Sequence, residues 1–264
     1  MKGILFDSLT EVRHRKVVWI FVALTVLGIL AVIGASAIEI SMGAEDATIG
    51  DLSSEVSIGI VFVLTWISHK ILIPLTVLLS AGVIPNMLTK GRIDFYLSKP
   101  VTRSSLLVSK TLATWMIYTI LAVASLIVVW LSGAIFLDGL SSRIFYTIAL
   151  IVVSTFCWVS VVCFAGVVTQ RTPTVLAIVF ATFMIQWGLS QRELIAFMTD
   201  NEVITYTVDT LYYIFPKTGE LYDNTQSWVM GTSRKFEMVP LFTTLAFSVV
   251  LMFVTSHIFK RKNY

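Results

Sequence analysis

Apolar runs long enough to cross a membrane recur along this chain, and no other feature restricts its fold as strongly. A helix needs about 20 apolar residues to traverse a hydrocarbon layer of roughly 30 Å. Residues 17–38, 105–131, 144–168, 174–190 and 240–259 meet or nearly meet that length, and a sixth run lies between 58 and 88. The composition agrees: 56% of the 264 residues are hydrophobic and only 13% charged. Mean hydropathy is +0.87, outside the range of a water-soluble domain. The expected fold class is therefore an all-α integral membrane protein with six transmembrane helices. The first run is too long for a signal-peptide core and lacks a small-residue cleavage site, so it is expected to be retained.

Charge predicts how the spans are threaded. Short cytoplasmic segments keep an excess of Lys and Arg. Lys2, Arg13, Arg15 and Lys16 precede the first run; Lys90, Arg92, Lys99 and Arg103 fill the loop after the second, with Lys110 just beyond. Arg171 follows the fourth run and Lys260, Arg261 and Lys262 the last. The alternate segments differ: residues 39–57 hold Glu39, Glu45, Asp46, Asp51 and Glu55 and no basic residue, and acids outnumber bases over 191–239. Six spans with both termini cytoplasmic satisfy every segment, in a plasma membrane protein of the multi-pass kind.

The second run is the least regular. About 20 residues counted back from the basic loop end near Ser68–Lys70, which leaves 58–68 as an apolar extension unless the helix is simply long. His69 and Lys70 then form a candidate intramembrane pathway or proton site. The plainer reading has Lys70 snorkelling from the outer boundary. Pro74 and Pro85 are positioned to kink this helix, since each lacks a backbone donor. Cys157 and Cys163 lie six apart, on different faces of one helix, and read as buried apolar thiols. His14, His69 and His257 are scattered, so no metal signature emerges.

Two segments outside the runs carry structure of their own. In residues 1–16, Ile4, Leu5, Leu9 and Val12 share one side of a helix expected to lie on the cytoplasmic membrane surface. The external segment 191–239 is long for a bare loop. Within it Thr205, Thr207, Asp209 and Thr210 are expected to face away from Ile204, Val208, Leu211 and Phe215, which recur at helical spacing until Pro216 stops the helix. These four form a candidate external gate. The following KTGELYDNTQSWVMGTSRKFEM reads as an exposed connection.

The chemistry absent from the sequence is informative. There is no phosphate-loop motif, no G-x-S-x-G elbow, and no Asp or Glu within the interiors of the predicted spans. An energy source is therefore expected outside this chain. Residues 89–104 show where a partner would dock: GRIDFYLSKPVTR presents Ile93, Tyr96 and Leu97 on one helical face beside Phe95, rimmed by Arg92, Lys99 and Arg103. Pro100 breaks the chain, and Thr102 is placed to cap the next helix.

Residues Lys90–Lys110, KGRIDFYLSKPVTRSSLLVSK, resemble the stretch between helices two and three of type-2 ABC transporter permeases. The matching positions are Gly91, Ile93, Leu97, Ser98, Pro100, Val101, Thr102, Arg103 and Lys110, and Glu11–Lys16 resembles the basic helix before the first span of that family. Lys90 stands near where many members carry an acid. The features are similar to those of the permeases of nitrous-oxide reductase maturation and of drug, lipid or polysaccharide exporters. The resemblance implies a transport subunit with no ATPase site of its own, most simply an exporter of the type V architecture, that forms its pathway as a homodimer or heterodimer. Its partner would be a separate ABC ATPase subunit holding ATP and Mg, docked on Gly91, Arg92, Ile93, Phe95, Tyr96, Leu97, Lys99, Pro100 and Arg103. An extracytoplasmic accessory protein is a further candidate partner; nucleic acid is not expected. The alternative is an ATP-independent carrier using His69 and Lys70, or a non-transporting membrane scaffold.

Overall fold

The computed structural model describes residues 17–42, 49–89, 102–136, 142–198, 202–232 and 236–262, and these are helical with no strand among them. Helix α1 is Val17–Met42 and α2 is Ile49–Ile67; a π-helical turn, Ser68–Leu72, leads into α3 (Ile73–Ser80) and α4 (Val83–Met87). Then follow α5 (Arg103–Phe136), α6 (Ile144–Thr169), α7 (Thr172–Ser190), α8 (Arg192–Met198), α9 (Glu202–Ile214), α10 (Thr218–Met230) and α11 (Val239–Arg261). Five stretches are long and apolar enough to span a membrane: Ile58–Met87, Arg103–Gly133, Ile144–Thr169, Thr172–Ser190 and Val239–Arg261. Val18–Gly34 within α1 is a shorter apolar stretch.

Helix α6 is the centre of the bundle: 72% of its apolar window is buried, against 17% for α7. Hydrocarbon gives apolar helices no reason to prefer one another over lipid, so close backbone approach and polar pairs hold them together. Both occur here. Thr147 and Thr155 of α6 bond the hydroxyls of Thr65 at 2.7 Å and Thr119 at 2.9 Å. Cys163 lies 3.1 Å from the Thr111 hydroxyl, and both cysteines are buried and free, as their spacing predicts. Gly166 lets α4 approach so closely that a Cβ there would stand 2.9 Å from Cβ of Ile84. Gly28 does the same for α1 on α5, where Val129 fills the space.

The proline effects are local. Pro74 cannot donate to the Lys70 carbonyl four residues back. The helix widens just before it, with Ile73 N–H reaching back to the Ser68 carbonyl. The apolar extension at 58–68 is continuous with the rest, so the helix is long rather than shifted, and it turns at Ala81–Gly82 before Pro85.

At the end of the bundle where α5 begins, Thr102 caps the helix as expected: its Oγ1 accepts from Ser105 N–H at 3.3 Å. Arg103 donates to the Lys262 carbonyl at 3.0 Å, and Lys262 Nζ donates to the carbonyls of Val167 and Val168 at 2.9 Å each. The first turn of α5, the last of α6 and the end of α11 are thereby tied together. Lys110, which the sequence groups with the basic loop, is two turns inside α5 and only 1% exposed, because the helix already starts at Arg103.

The reading of 217–238 as an exposed connection is wrong over its first half. Thr218–Met230 is helix α10, with Leu221, Tyr222, Thr225 and Val229 buried. Those positions lie on one helical face, and the polar residues between them cover the other. Gly231 ends α10 with φ +73, and Thr232 N–H bonds the Ser227 carbonyl, a left-handed cap suited to glycine. Arg143 donates to the Val229 carbonyl at the same end. Residues 1–16 and docking positions Gly91, Arg92, Ile93, Phe95, Tyr96, Leu97, Lys99 and Pro100 lie outside the described residues.

Candidate functional site

The π-helical turn, the end of α7 and the start of α10 meet around a cavity of about 280 Å³ with a mixed polar and apolar lining. The π turn contributes His69 and Lys70, α7 contributes Phe183 and Gln186, and the α9–α10 junction contributes Tyr212, Lys217, Thr218, Glu220, Tyr222 and Asp223. Pro216 stops α9, and the Lys217 backbone N–H donates to Thr244 Oγ1 of α11 at 3.0 Å, which pins the junction to the bundle.

Each side chain is held by an identifiable contact. The His69 ring stacks on Tyr222, centroids 4.3 Å apart and planes 15° from parallel. Lys70 Nζ stands 5.4 Å from the centre of the same ring. Thr218 Oγ1 donates to Gln186 Oε1 at 2.9 Å, and Tyr212 donates its hydroxyl proton to Glu220 Oε2 at 2.8 Å. The Tyr212 ring supports two cations: Lys217 Nζ at 3.6 Å and the Arg192 guanidinium at 3.9 Å from its centre. Arg192 also pairs with Asp209 at 3.7 Å.

Burial sets the protonation tendencies. It lowers the Lys217 pKa, partly opposed by Glu220, and raises that of the Asp223 carboxyl, partly opposed by Lys70. Tyr212 is pushed up by burial and then by its bond to Glu220. Among the described residues no cluster of three or more His, Cys, Asp or Glu could hold a metal ion.

A second cavity, about 430 Å³ and almost wholly apolar, adjoins the first; His69, Phe183 and Thr218 line both. Ile73, Pro74, Val77, Trp158 and Phe180 form its walls.

The structure thus brings His69 and Lys70 together with residues that the sequence did not single out: Gln186, Tyr212, Lys217, Glu220 and Tyr222. Their signals were present. Gln186 is a lone amide in an apolar run, and the 218–229 face repeats at three and four residues.

Ile204, Val208, Leu211 and Phe215 do not form one inward face. Ile204 and Leu211 are 43% and 40% exposed, while Val208 and Phe215 are half-buried; of the residues expected to face away, Thr207 and Thr210 are exposed, the Asp209 side chain is 48% exposed, and Thr205 is half-buried. Phe215 packs inward, stacking on Phe247 at 6.1 Å. Arg103, the only docking position described, is part-buried in the Lys262 contact.

Residues 7–264 match the family described as ABC-2 family transporter protein. No curated protein matches the chain.

Proposed function

The chain belongs to the ABC-2 transporter family, and from that premise we propose that it is the membrane permease of an exporter driven by a separate ATPase subunit. The observation that carries this reading is the extent of the family match, which runs through every apolar helix and the 89–104 loop. Without a phosphate loop in the sequence, the permease relies on ATP and Mg held by its partner.

In this reading both termini and the 89–104 loop face the cytoplasm. Ile93, Phe95, Tyr96 and Leu97 enter a groove on the ATPase, with Arg92, Lys99 and Arg103 at its rim. Two copies, or one with a close relative, enclose the pathway; the apolar flank of α7, exposed in a single copy, is available to lipid or to that second subunit. Movement of the docked loop would reach the bundle through the contacts at its end. Arg103 holds the Lys262 carbonyl, and Lys262 holds the end of α6. Helices α2–α5, α7, α10 and α11 all pack against α6, so displacement there spreads through most of the bundle.

The test is co-purification of the ATPase subunit with a Tyr96→Asp, Leu97→Asp double variant. Placing two carboxylates in an apolar docking face should abolish association while the permease still inserts and elutes as a folded protein. Association that survives the double change overturns the docking assignment.

A further inference from the structure

Three nitrogen atoms of residues lining the 280 Å³ cavity have no hydrogen-bond partner: Lys217 Nζ, Gln186 Nε2 and His69 Nδ1. Lys217 is 5% exposed and His69 9%. Buried donors of this kind are costly unless something supplies acceptors. Their orientations are fixed by contacts that leave these atoms outstanding. Thr218 donates to Gln186 Oε1, so the amide presents its NH₂. Stacking on Tyr222 holds the His69 ring. The Tyr212 and Tyr213 rings, 3.6 and 4.6 Å from Lys217 Nζ, attract its charge but give its N–H groups no oxygen.

The carboxylates at this cavity give the three nitrogens no hydrogen bond, although the charge of Glu220 acts on Lys217. Glu220 accepts the Tyr212 hydroxyl at 2.8 Å, and Asp223 interacts with Lys70. Beyond His69 the wall changes character within one side chain, to the apolar cavity of about 430 Å³ with Trp158 and Phe180. A ligand occupying both spaces needs oxygen acceptors at one end and hydrocarbon at the other.

We infer that the joined cavities bind an anionic amphiphile, its oxyanion accepting hydrogen bonds from Lys217 Nζ, Gln186 Nε2 and the Nδ1–H tautomer of His69, and its acyl chain lying against Trp158 and Phe180. The head is a carboxylate or a phosphate; both offer the required acceptors. Binding at this site does not depend on the ATP-driven reading, because every contact lies within the permease. Burial lowers the Lys217 pKa, and an adjoining oxyanion offsets that penalty.

The experiment is quenching of tryptophan fluorescence in the purified full-length permease. The probes are 9,10-dibromostearate, a phosphatidic acid with the same brominated chain, and the neutral 9,10-dibromooctadecanol. Subtracting a Trp158→Phe variant isolates the signal from the apolar cavity. The expected result is saturable quenching of Trp158 by an anionic probe, with affinity at least tenfold weaker in Lys217→Gln, weaker in Gln186→Leu, and retained in Lys217→Arg. Preference for the fatty acid or for the phospholipid tells which headgroup fits. Equal quenching by the neutral alcohol, or affinity unchanged in both Lys217→Gln and Gln186→Leu, overturns the inference and leaves an apolar crevice with water on its donors. If Lys217→Gln fails to fold, Gln186→Leu decides the outcome. ATPase co-purification from the same preparations separates failure of the permease reading from failure of this one.

Discussion

Replacing Gly28 by alanine tests whether close backbone approach holds α1 against the bundle. Phe21 and Val32 are buried on the same side of α1 as Gly28, and Val129 of α5 is 5% exposed opposite them. A Cβ at position 28 would stand 2.6 Å from Cγ2 of Val129 and 3.1 Å from its Cγ1, but 3.5 Å from its Cβ. The first distance requires movement, and valine in a helix has essentially one χ1 rotamer, so the methyl cannot swing aside cheaply. Overpacking of this kind costs about 1–3 kcal/mol. Val129→Ala alone removes two buried methyl groups, and its cost is the packing lost to the cavity left behind rather than transfer from water. In the double variant the offending atoms are gone and the remaining Cβ contact is ordinary. The new methyl also fills part of the vacated space. The double variant is therefore expected to be more stable than the sum of the single losses predicts, by at least about 1 kcal/mol. SDS titration in mixed micelles, read by tryptophan fluorescence, supplies the four stabilities of the cycle. A neutral Gly28→Ala, or single effects that add within about 0.5 kcal/mol, would refute the idea that this glycine sets the α1–α5 distance.

Lys262→Met removes the ammonium that caps the end of α6 through the Val167 and Val168 carbonyls. A loss of about 1–2 kcal/mol is expected, concentrated in the last turn of that helix; amide exchange over residues 165–169 should accelerate, and unchanged exchange would exclude a capping role. Lys217 supplies a pH test. Its folded-state pKa lies below the ordinary 10.5 because it is buried. Between those two values the unfolded chain holds a proton that the folded chain has released, so this group makes stability rise with pH across that window. Below the folded-state value both states are charged and the full burial penalty applies. Thermal melting of the parent should therefore gain on Lys217→Met as pH climbs toward 10.5; parallel melting curves would show that the ammonium is not penalised.

Several features were readable before any fold was known. The Cys157–Cys163 spacing predicted two separate buried thiols, and that is what α6 contains. Thr102 after Pro100 predicted a cap, and its hydroxyl receives Ser105 N–H. Both are local consequences of helix geometry and backbone donors, and they depend on residues a few positions apart. Helix α9 shows the limit. Its apolar repeat is real, but the repeat alone does not say which side meets the protein. Where hydrocarbon and protein interior are equally apolar, an apolar stripe carries no direction of its own, and Ile204 and Leu211 of this repeat lie exposed.

The sequence by itself determined that this chain lives in a membrane, roughly where it crosses, and which family it resembles. Transfer of a residue into hydrocarbon depends mainly on that residue, so adding the effects over a window of about 20 needs no knowledge of contacts. Only the tertiary structure decided that His69, Gln186 and Lys217 face one cavity. They come from three parts of the chain, and their meeting depends on α7 packing against α10 and on Thr244 pinning the α9–α10 junction. Thr218–Met230 became a packed helix for the same reason: its buried face is defined by the neighbours that α2, α6 and α11 provide.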